Sequence, residues 1–350
     1  MVIMPRAYPP KPRPGDRVAV LSPAAGVPAI FPHVYELGLS RLRDAYGVVP
    51  VEYPTTRQPE ASAADRARDI NAAFADPSIA AVLASIGGED QITVIPHLDP
   101  GLLRANPKPF FGYSDNTNLH NYLWNLGIVS YYGGSVMVNL GRSGRENPDS
   151  AASFRAALFD SGWADLVEPT WSTDEVIDWS LGPAALADEP PLFAARPWEW
   201  QHANRVIEAP TWGGCIEVLS WILQVGRDVA TVDAYAGHIL MIETSEEMPP
   251  ATEVYRMLRN IGLRGLLADT PAVLVGRPKA WDVGRRTSPE RKQRYVDDQR
   301  GAIRRALDAY APDATVVFNV DFGHTDPQLI MPYGGLVRID GPRRQISVRY

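Results

Sequence analysis

Over its first 140 residues the chain alternates short apolar runs with segments of helical apolar spacing, the signature of a parallel sheet flanked by helices. Residues 18–22, 48–53, 80–86, 110–113 and 128–132 predict strands. Residues 32–46 and 61–75 predict helices between them, so right-handed β-α-β crossovers are expected. The clearest helix covers residues 118–126. There Leu119, Tyr122, Leu123 and Leu126 fall at i, i+3, i+4 and i+7, Asp115 or Asn116 can cap the start, and Gly127 ends it. The start of that helix abuts Ser114.

From 141 to 210 the pattern dissolves into Pro, Gly, Asp and Ser punctuation that carries five of the nine tryptophans: Trp163, Trp171, Trp179, Trp198 and Trp200. So aromatic an irregular stretch reads as an ordered junction between domains rather than as disorder. Beyond it come a helix near 216–223, a buried strand at 239–242, and a helix with Val254, Met257, Leu258 and Ile261 at i, i+3, i+4 and i+7. Strands follow at 272–276 and 315–321. A terminal pair, 336–340 and 345–348, turns through Gly341 and Pro342 with the alternation of a half-exposed antiparallel hairpin. Rich in strands and poor in helices, this second part is expected to form a small barrel. The expected division is 1–165 for an α/β domain, 166–210 for a Trp-rich linker, and 211–350 for the barrel-like domain.

Composition narrows the partners. At 350 residues, 45% hydrophobic and 21% charged, the chain has ample material for a core. A net charge of -7 without a Lys/Arg cluster offers no footprint for nucleic acid. The start, residues 1–16, is Pro-rich and basic but lacks the apolar core of a secretory signal, and no run is long enough to span a bilayer. A cytoplasmic location is expected. A single cysteine, Cys215, excludes an internal disulfide and any multi-thiolate metal site.

The segment Pro109-Phe-Phe-Gly-Tyr-Ser-Asp-Asn-Thr117 runs from an apolar strand through Gly112 and Ser114 into a helix. A nucleophilic serine needs such a tight strand-to-helix turn, which exposes its hydroxyl at the sheet edge beside a helix N-terminus. Asn116 stands where a hydrolase elbow has its second glycine, and plain helix capping by Ser114 or Asp115 competes with the nucleophile reading. A serine also needs a base. Of six histidines, His324 stands out: it lies in Asp321-Phe-Gly-His-Thr-Asp-Pro327, a polar turn after an apolar strand, where an idle surface histidine is the alternative. The third member must orient the imidazole. Glu243 ends the buried run His238-Ile-Leu-Met-Ile-Glu243, with an ordinary salt bridge as its competing role.

An oxyanion hole requires backbone N–H groups beside the nucleophile. Ser85-Ile-Gly-Gly-Glu-Asp90 ends another strand, and Gly87 and Gly88 there permit close approach of a substrate carbonyl; the Gly88 and Asp115 amides are the expected pair. No Walker or dinucleotide fingerprint follows the first strand. Cys215, in Trp212-Gly-Gly-Cys-Ile-Glu217, is the rival nucleophile, but the apolar residues behind it mark a core position at a helix start.

Taken in order, Gly15-Asp16-Arg17-Val18 with Ser22-Pro23, Ser85-Ile-Gly-Gly88, Gly112-Tyr-Ser-Asp115, Trp212-Gly-Gly214, Ile242-Glu-Thr-Ser-Glu246 and Asp321-Phe-Gly-His324 make the chain resemble the LD-carboxypeptidase family, in particular its microcin C self-immunity branch. The resemblance implies a flavodoxin-like or Rossmann-like N-terminal domain supplying Ser114 and a barrel-like C-terminal domain supplying Glu243 and His324. It also implies a cytoplasmic homodimer that needs no metal or other cofactor. Cys215 departs from the asparagine expected after the two glycines. Two substrates are implied: murein tetrapeptide, trimmed of its terminal D-amino acid, or an amino acyl or peptidyl group joined by an amide to a nucleotide-like sulfamate or phosphoramidate. Trp171 and Trp179 flank 172–178 much as aromatic residues flank a loop in the immunity branch, and an indole there can stack on a base. This favours the second substrate, while Trp198 and Trp200 are expected to pack. A non-catalytic protein that holds a small ligand between two lobes is the reading from another class.

Overall fold

The computed structural model describes residues 6–350. The expected alternation at the start is present. Strands β1 (Arg17–Leu21), β2 (Val49–Glu52), β3 (Ile79–Ala84), β4 (Phe110–Gly112) and β5 (Ser130–Tyr132) form one sheet, with neighbours β2-β1-β3-β4-β5 all parallel. Helices α1 (Pro32–Asp44), α2 (Ala63–Ala75), the short α3 (Gln91–Val94) and α4 (Pro100–Ala105), and α5 (Thr117–Asn125) make the crossovers. The caps follow local chemistry. Ser62 accepts from the Asp65 amide at the start of α2, and Asp99 accepts from Leu102 N–H before Pro100 opens α4.

The stretch 141–210 is more regular than expected. It holds α6 (Pro148–Phe159), the short strands β6 (Trp163–Asp165), β7 (Trp171–Ser172), β8 (Phe193–Ala194) and β9 (Glu199–Gln201), and the start of β10 (Val206–Cys215). The signal for α6 was local: Asn147 caps it, Pro148 occupies its first position, and Phe154, Ala157 and Leu158 bury one face. The strand β10 was disguised by Pro210, Gly213 and Gly214, residues that ordinarily break strands.

The second part carries α7 (Ile216–Val225), β11 (Ile239–Glu243), α8 (Ala251–Leu263), β12 (Ala272–Gly276), α9 (Pro289–Tyr310), β13 (Thr315–Val320), β14 (Met331–Tyr333), β15 (Leu336–Asp340) and β16 (Gln345–Arg349). The expectation of few helices here is corrected by the 22-residue α9, which packs on α8. Eight strands form a mixed sheet in the order β6-β16-β15-β10-β11-β12-β13-β9, with β10 to β13 parallel and antiparallel flanks. The α/β class holds throughout.

The two sheets exchange edges. Strand β14, from near the C-terminus, closes the first sheet antiparallel to β5, while β6 joins the second beside β16. One apolar core accordingly runs through both, joining Tyr131, Tyr333 and Phe154 to Trp212, Val337 and Ile346. A second core, with Leu21, Ile70, Phe74 and Leu123, lies on the other face of the first sheet.

Candidate active site

At the end of β4 the chain turns into α5 through a single turn over Ser114–Asn116, and Ser114 adopts φ +63°, a left-handed conformation that costs a non-glycine residue strain. Asn116, where a second glycine was expected, is fully buried and fastens the turn. Its Nδ2 donates to the carbonyls of Tyr113 (3.0 Å) and Ile86 (3.2 Å), and its Oδ1 accepts from Gln91 Nε2 (2.8 Å). The Asp115 side chain is spent on structure, accepting from Gln91 N–H (2.9 Å) and Asn118 Nδ2 (2.8 Å), and burial pushes its carboxyl up to about 6.

The imidazole and its carboxylate come from the other sheet. Glu243 ends β11, and His324 lies in the segment that leaves β13. His324 Nδ1 is 2.6 Å from Glu243 Oε2, and Gly323 makes this approach possible: at φ +94°, a Cβ there would fall 2.5 Å from the same oxygen. The other oxygen, Glu243 Oε1, accepts from the hydroxyl of Tyr132 (2.6 Å), which in turn accepts from Ser114 N–H (3.3 Å). His324 Nε2 faces Glu246 Oε2 at 3.1 Å, an ion-pair separation without hydrogen-bond alignment, so this nitrogen has no hydrogen-bond partner and none joins it to Ser114 Oγ. Burial depresses the imidazole, but the charges of Glu243 and Glu246 outweigh it and lift His324 to about 10.

These groups open on one cavity of about 890 Å³ between the sheets, lined by Gly87, Gly88, Ser114, Glu246 and His324 on its reactive side. Gly87 lies directly against the nucleophile candidate, since a Cβ there would sit 2.9 Å from Ser114 Cβ and 3.1 Å from its Oγ. A Cβ on Gly88 would meet Ala24 at 2.9 Å. Trp179 lines the cavity, half-buried and edge-on to Phe31 at 5.5 Å. Trp171 sits on the β7–β8 ribbon, 56% exposed, just outside the cavity wall that Thr173 and Trp179 of the same segment line. Pairing through Ser172 turns the neighbouring indole outward to solvent, which two residues of spacing on a chain cannot reveal. Trp198 is buried and donates to Asp321 (2.8 Å), a packing role.

Cys215 is buried at the start of α7, where its thiol donates to Glu217 Oε2 (3.3 Å) and is held protonated by burial and the nearby Glu217 and Glu243 charges. Its amide donates to Thr117 Oγ1 (3.2 Å), whose hydroxyl donates to Ser114 O (2.7 Å). Sequence reasoning missed Tyr132, Thr117 and the contact of Glu246, none of which stands in a pattern readable along the chain. Among the described residues no group of three or more His, Cys, Asp or Glu side chains is gathered so as to hold a metal ion, and no helix is long and apolar enough to cross a membrane.

A serine on a strained strand-to-helix turn lines the same cavity as a histidine paired with a glutamate, and this layout is compatible with a serine-hydrolase scaffold. The sequence makes it specific: residues 18–133 match the LD-carboxypeptidase N-terminal domain and residues 208–339 the LD-carboxypeptidase C-terminal domain, and the chain belongs to that family. It is 28% identical to a Treponema pallidum protein with a provisional carboxypeptidase name, over 96% of this chain and 93% of that one. It is 26% identical to the microcin C7 self-immunity protein MccF of Escherichia coli, over 81% of this chain and 78% of MccF. The MccF-like protein from Streptococcus pneumoniae, solved in complex with AMP, superposes with a TM-score of 0.82 at 25% identity, covering 96% of this chain and 99% of that one.

Proposed function

We propose that the chain is a serine hydrolase that cleaves the amide between an amino acyl or peptidyl group and a nucleotide-like moiety. The observation that carries this is the convergence of Ser114 with the Glu243–His324 pair, bonded at 2.6 Å, on a cavity that also holds Trp179. Ser114 Oγ attacks the amide carbonyl while His324 Nε2 takes its proton, and Glu243 fixes the tautomer that leaves Nε2 free for this task. The Gly88 and Asp115 amides receive the oxyanion. His324 then protonates the departing nitrogen, and water, activated by the same imidazole, releases the acyl group. Trp179 offers an indole face for a base, and the likeness to a microcin self-immunity protein and to a fold that holds AMP supports a nucleotide-like leaving group.

A second reading, trimming of a terminal D-amino acid from murein tetrapeptide, is supported by the family to which both domains belong. It uses the same residues. The reading also keeps a first part that carries Ser114, a second part that carries Glu243 and His324, and a cytoplasmic homodimer, for which the family resemblance is the support; the bounds at 165 and 210 do not follow the sheets, since β6 and β9 join the second sheet and β10 runs across 210.

The test is mass spectrometry of purified protein and Ser114→Ala with an aminoacyl sulfamoyl adenosine and an L,D-linked murein tetrapeptide in parallel. The proposal expects free amino acid from the adenosine compound with the unaltered protein, and a loss of about ten-thousandfold in Ser114→Ala. Release of D-alanine alone would move the assignment to the second reading. Equal turnover by both proteins would remove Ser114 from the chemistry.

A further inference from the structure

Tyr132 ends β5, the strand beside β4, and its side chain is fully buried. Its hydroxyl touches both halves of the site. It accepts from the backbone N–H of Ser114 at 3.3 Å, on the first sheet, and donates to Glu243 Oε1 at 2.6 Å, on the second. The ring has little room to turn: His120 tilts against it at 5.4 Å, Phe322 lies edge-on at 6.5 Å, and a Cβ on Gly214 would come within 3.0 Å of its Cε2. Gly214 therefore grants the ring its place, and β10, which carries that glycine, becomes part of the support.

We propose that Tyr132 is a positioning residue of this site, a single hydroxyl that ties the backbone of the nucleophilic serine to the carboxylate that orients the histidine. The inference rests on the reading of Ser114, His324 and Glu243 as the reacting set.

Two consequences follow from the geometry. With Oε1 committed to Tyr132 and Oε2 to His324, Glu243 has one orientation, so the imidazole plane is set as well. By engaging Ser114 N–H, the phenol also holds the left-handed turn that leads directly into Asp115, whose amide is the proposed oxyanion donor. The phenol stays protonated, because burial and the charge of Glu243 both oppose its ionisation, and so it remains a donor at any working pH. Donation to a carboxylate draws off part of its charge, which moderates the hold of Glu243 on the proton of His324. The other charges at the imidazole are Glu246, with Lys279 beside it.

Tyr132→Phe keeps the ring and deletes the bridge. Steady-state kinetics on the substrate turned over in the parallel assay should show kcat down roughly 10- to 100-fold with KM little changed. The acid limb of the kcat profile should move to higher pH by roughly one unit, because Glu243 then holds the His324 proton more tightly. Titration of His324 by 15N NMR reads the same shift without turnover, so it also decides the matter if neither probe is hydrolysed. Should Tyr132→Phe fold poorly, 3-fluorotyrosine at position 132, a stronger donor of nearly the same size, should move the His324 titration in the opposite direction. If Ser114→Ala is inactive while Tyr132→Phe keeps wild-type kcat and an unmoved titration, the role of Tyr132 is overturned and the reacting set stands. If Ser114→Ala keeps full activity, the reacting set itself falls. A lower Tm with no change in either His324 readout would reduce Tyr132 to packing and overturn the proposal.

Discussion

The imidazole of His324 stands between two carboxylates with opposite effects on its task. Glu243, buried and bonded to Nδ1, leaves Nε2 as the free nitrogen, whereas Glu246 Oε2 faces that nitrogen at 3.1 Å and favours its protonated form. A base must be unprotonated to act, so activity should rise only as pH passes the pKa of His324, which lies near 10 with both carboxylates in place. The side chain of Glu246 is 53% exposed, so solvent screens its effect and leaves it free to move when substrate enters. Glu246→Gln removes one charge. The acid limb of kcat/KM should therefore move to lower pH, by roughly one unit after allowance for screening. Stability obeys the same sign. His324 holds its proton more tightly folded than unfolded, so the stabilisation is complete below its ordinary value of 6.5 and is lost as pH rises through about 10. Urea unfolding of Glu246→Gln should show a smaller decline across that window, and an unmoved limb with an unchanged decline would mean that Glu246 points elsewhere in solution. Ser114, Glu243 and His324 were legible because each ends or follows an apolar strand. Glu246 and Tyr132 were not: the bond from Tyr132 to Glu243 spans 111 positions of sequence and exists only once both sheets are built.

Elements whose buried face repeats were legible, and those defined by other forces were not. Helix α5, with Leu119 and Leu123 in the core, shows its period plainly, while α9 buries only Gln299, Ile303, Ala306 and Leu307 in its 22 residues and so presents no apolar stripe over its first half. Its start was still marked, by Ser288 accepting from Arg291 N–H and Pro289 at the first position. The loop after β3 is different again, since its glycines serve proximity rather than a turn. Gly87 has no positive φ, so alanine is allowed there by the backbone, yet its Cβ would press on Ser114 at 2.9 Å. Gly87→Ala is therefore expected to fold with a Tm within a few degrees of wild type and to lose about a hundredfold or more in kcat, the scale of an ångström's misplacement at a reacting centre. Assaying turnover beside thermal melting separates the two effects. Full activity would show that the loop stands back from Ser114, and a collapsed Tm would show that Gly87 supports the fold rather than the site.

At the scale of the whole molecule, the two halves were legible in order but not in their interlocking. Periodicity marks β14 and β6 as nothing more than short apolar or aromatic stretches, because a strand that joins a distant sheet is selected by tertiary pairing and not by its neighbours in sequence. The crossing has a functional result. Since β13 belongs to the second sheet and β14 to the first, the chain must pass between them over 321–330, and His324 rides on that passage. The passage is anchored on both sides of His324: Asp321 pairs with Arg277 (2.9 Å) and Trp198 (2.8 Å), and Asp326 pairs with Arg142 (2.7 Å) from the first half. Its apolar residues Phe322, Leu329 and Ile330 lie in the shared core. Separating the halves would strip β14 from β5, open that core across Tyr131 and Tyr333, and leave the Arg142–Asp326 pair broken with both groups partly desolvated, each a substantial cost. Neither half can then melt while the other stays native, and the chain should unfold as one unit despite a length at which independent domains are usual. Far-UV circular dichroism and tryptophan fluorescence, the latter dominated by indoles from Trp163 onward, should trace a single coincident urea transition. Two separated transitions, with fluorescence lagging or leading, would show that the exchanged strands do not couple the halves and that His324 is positioned by the second sheet alone.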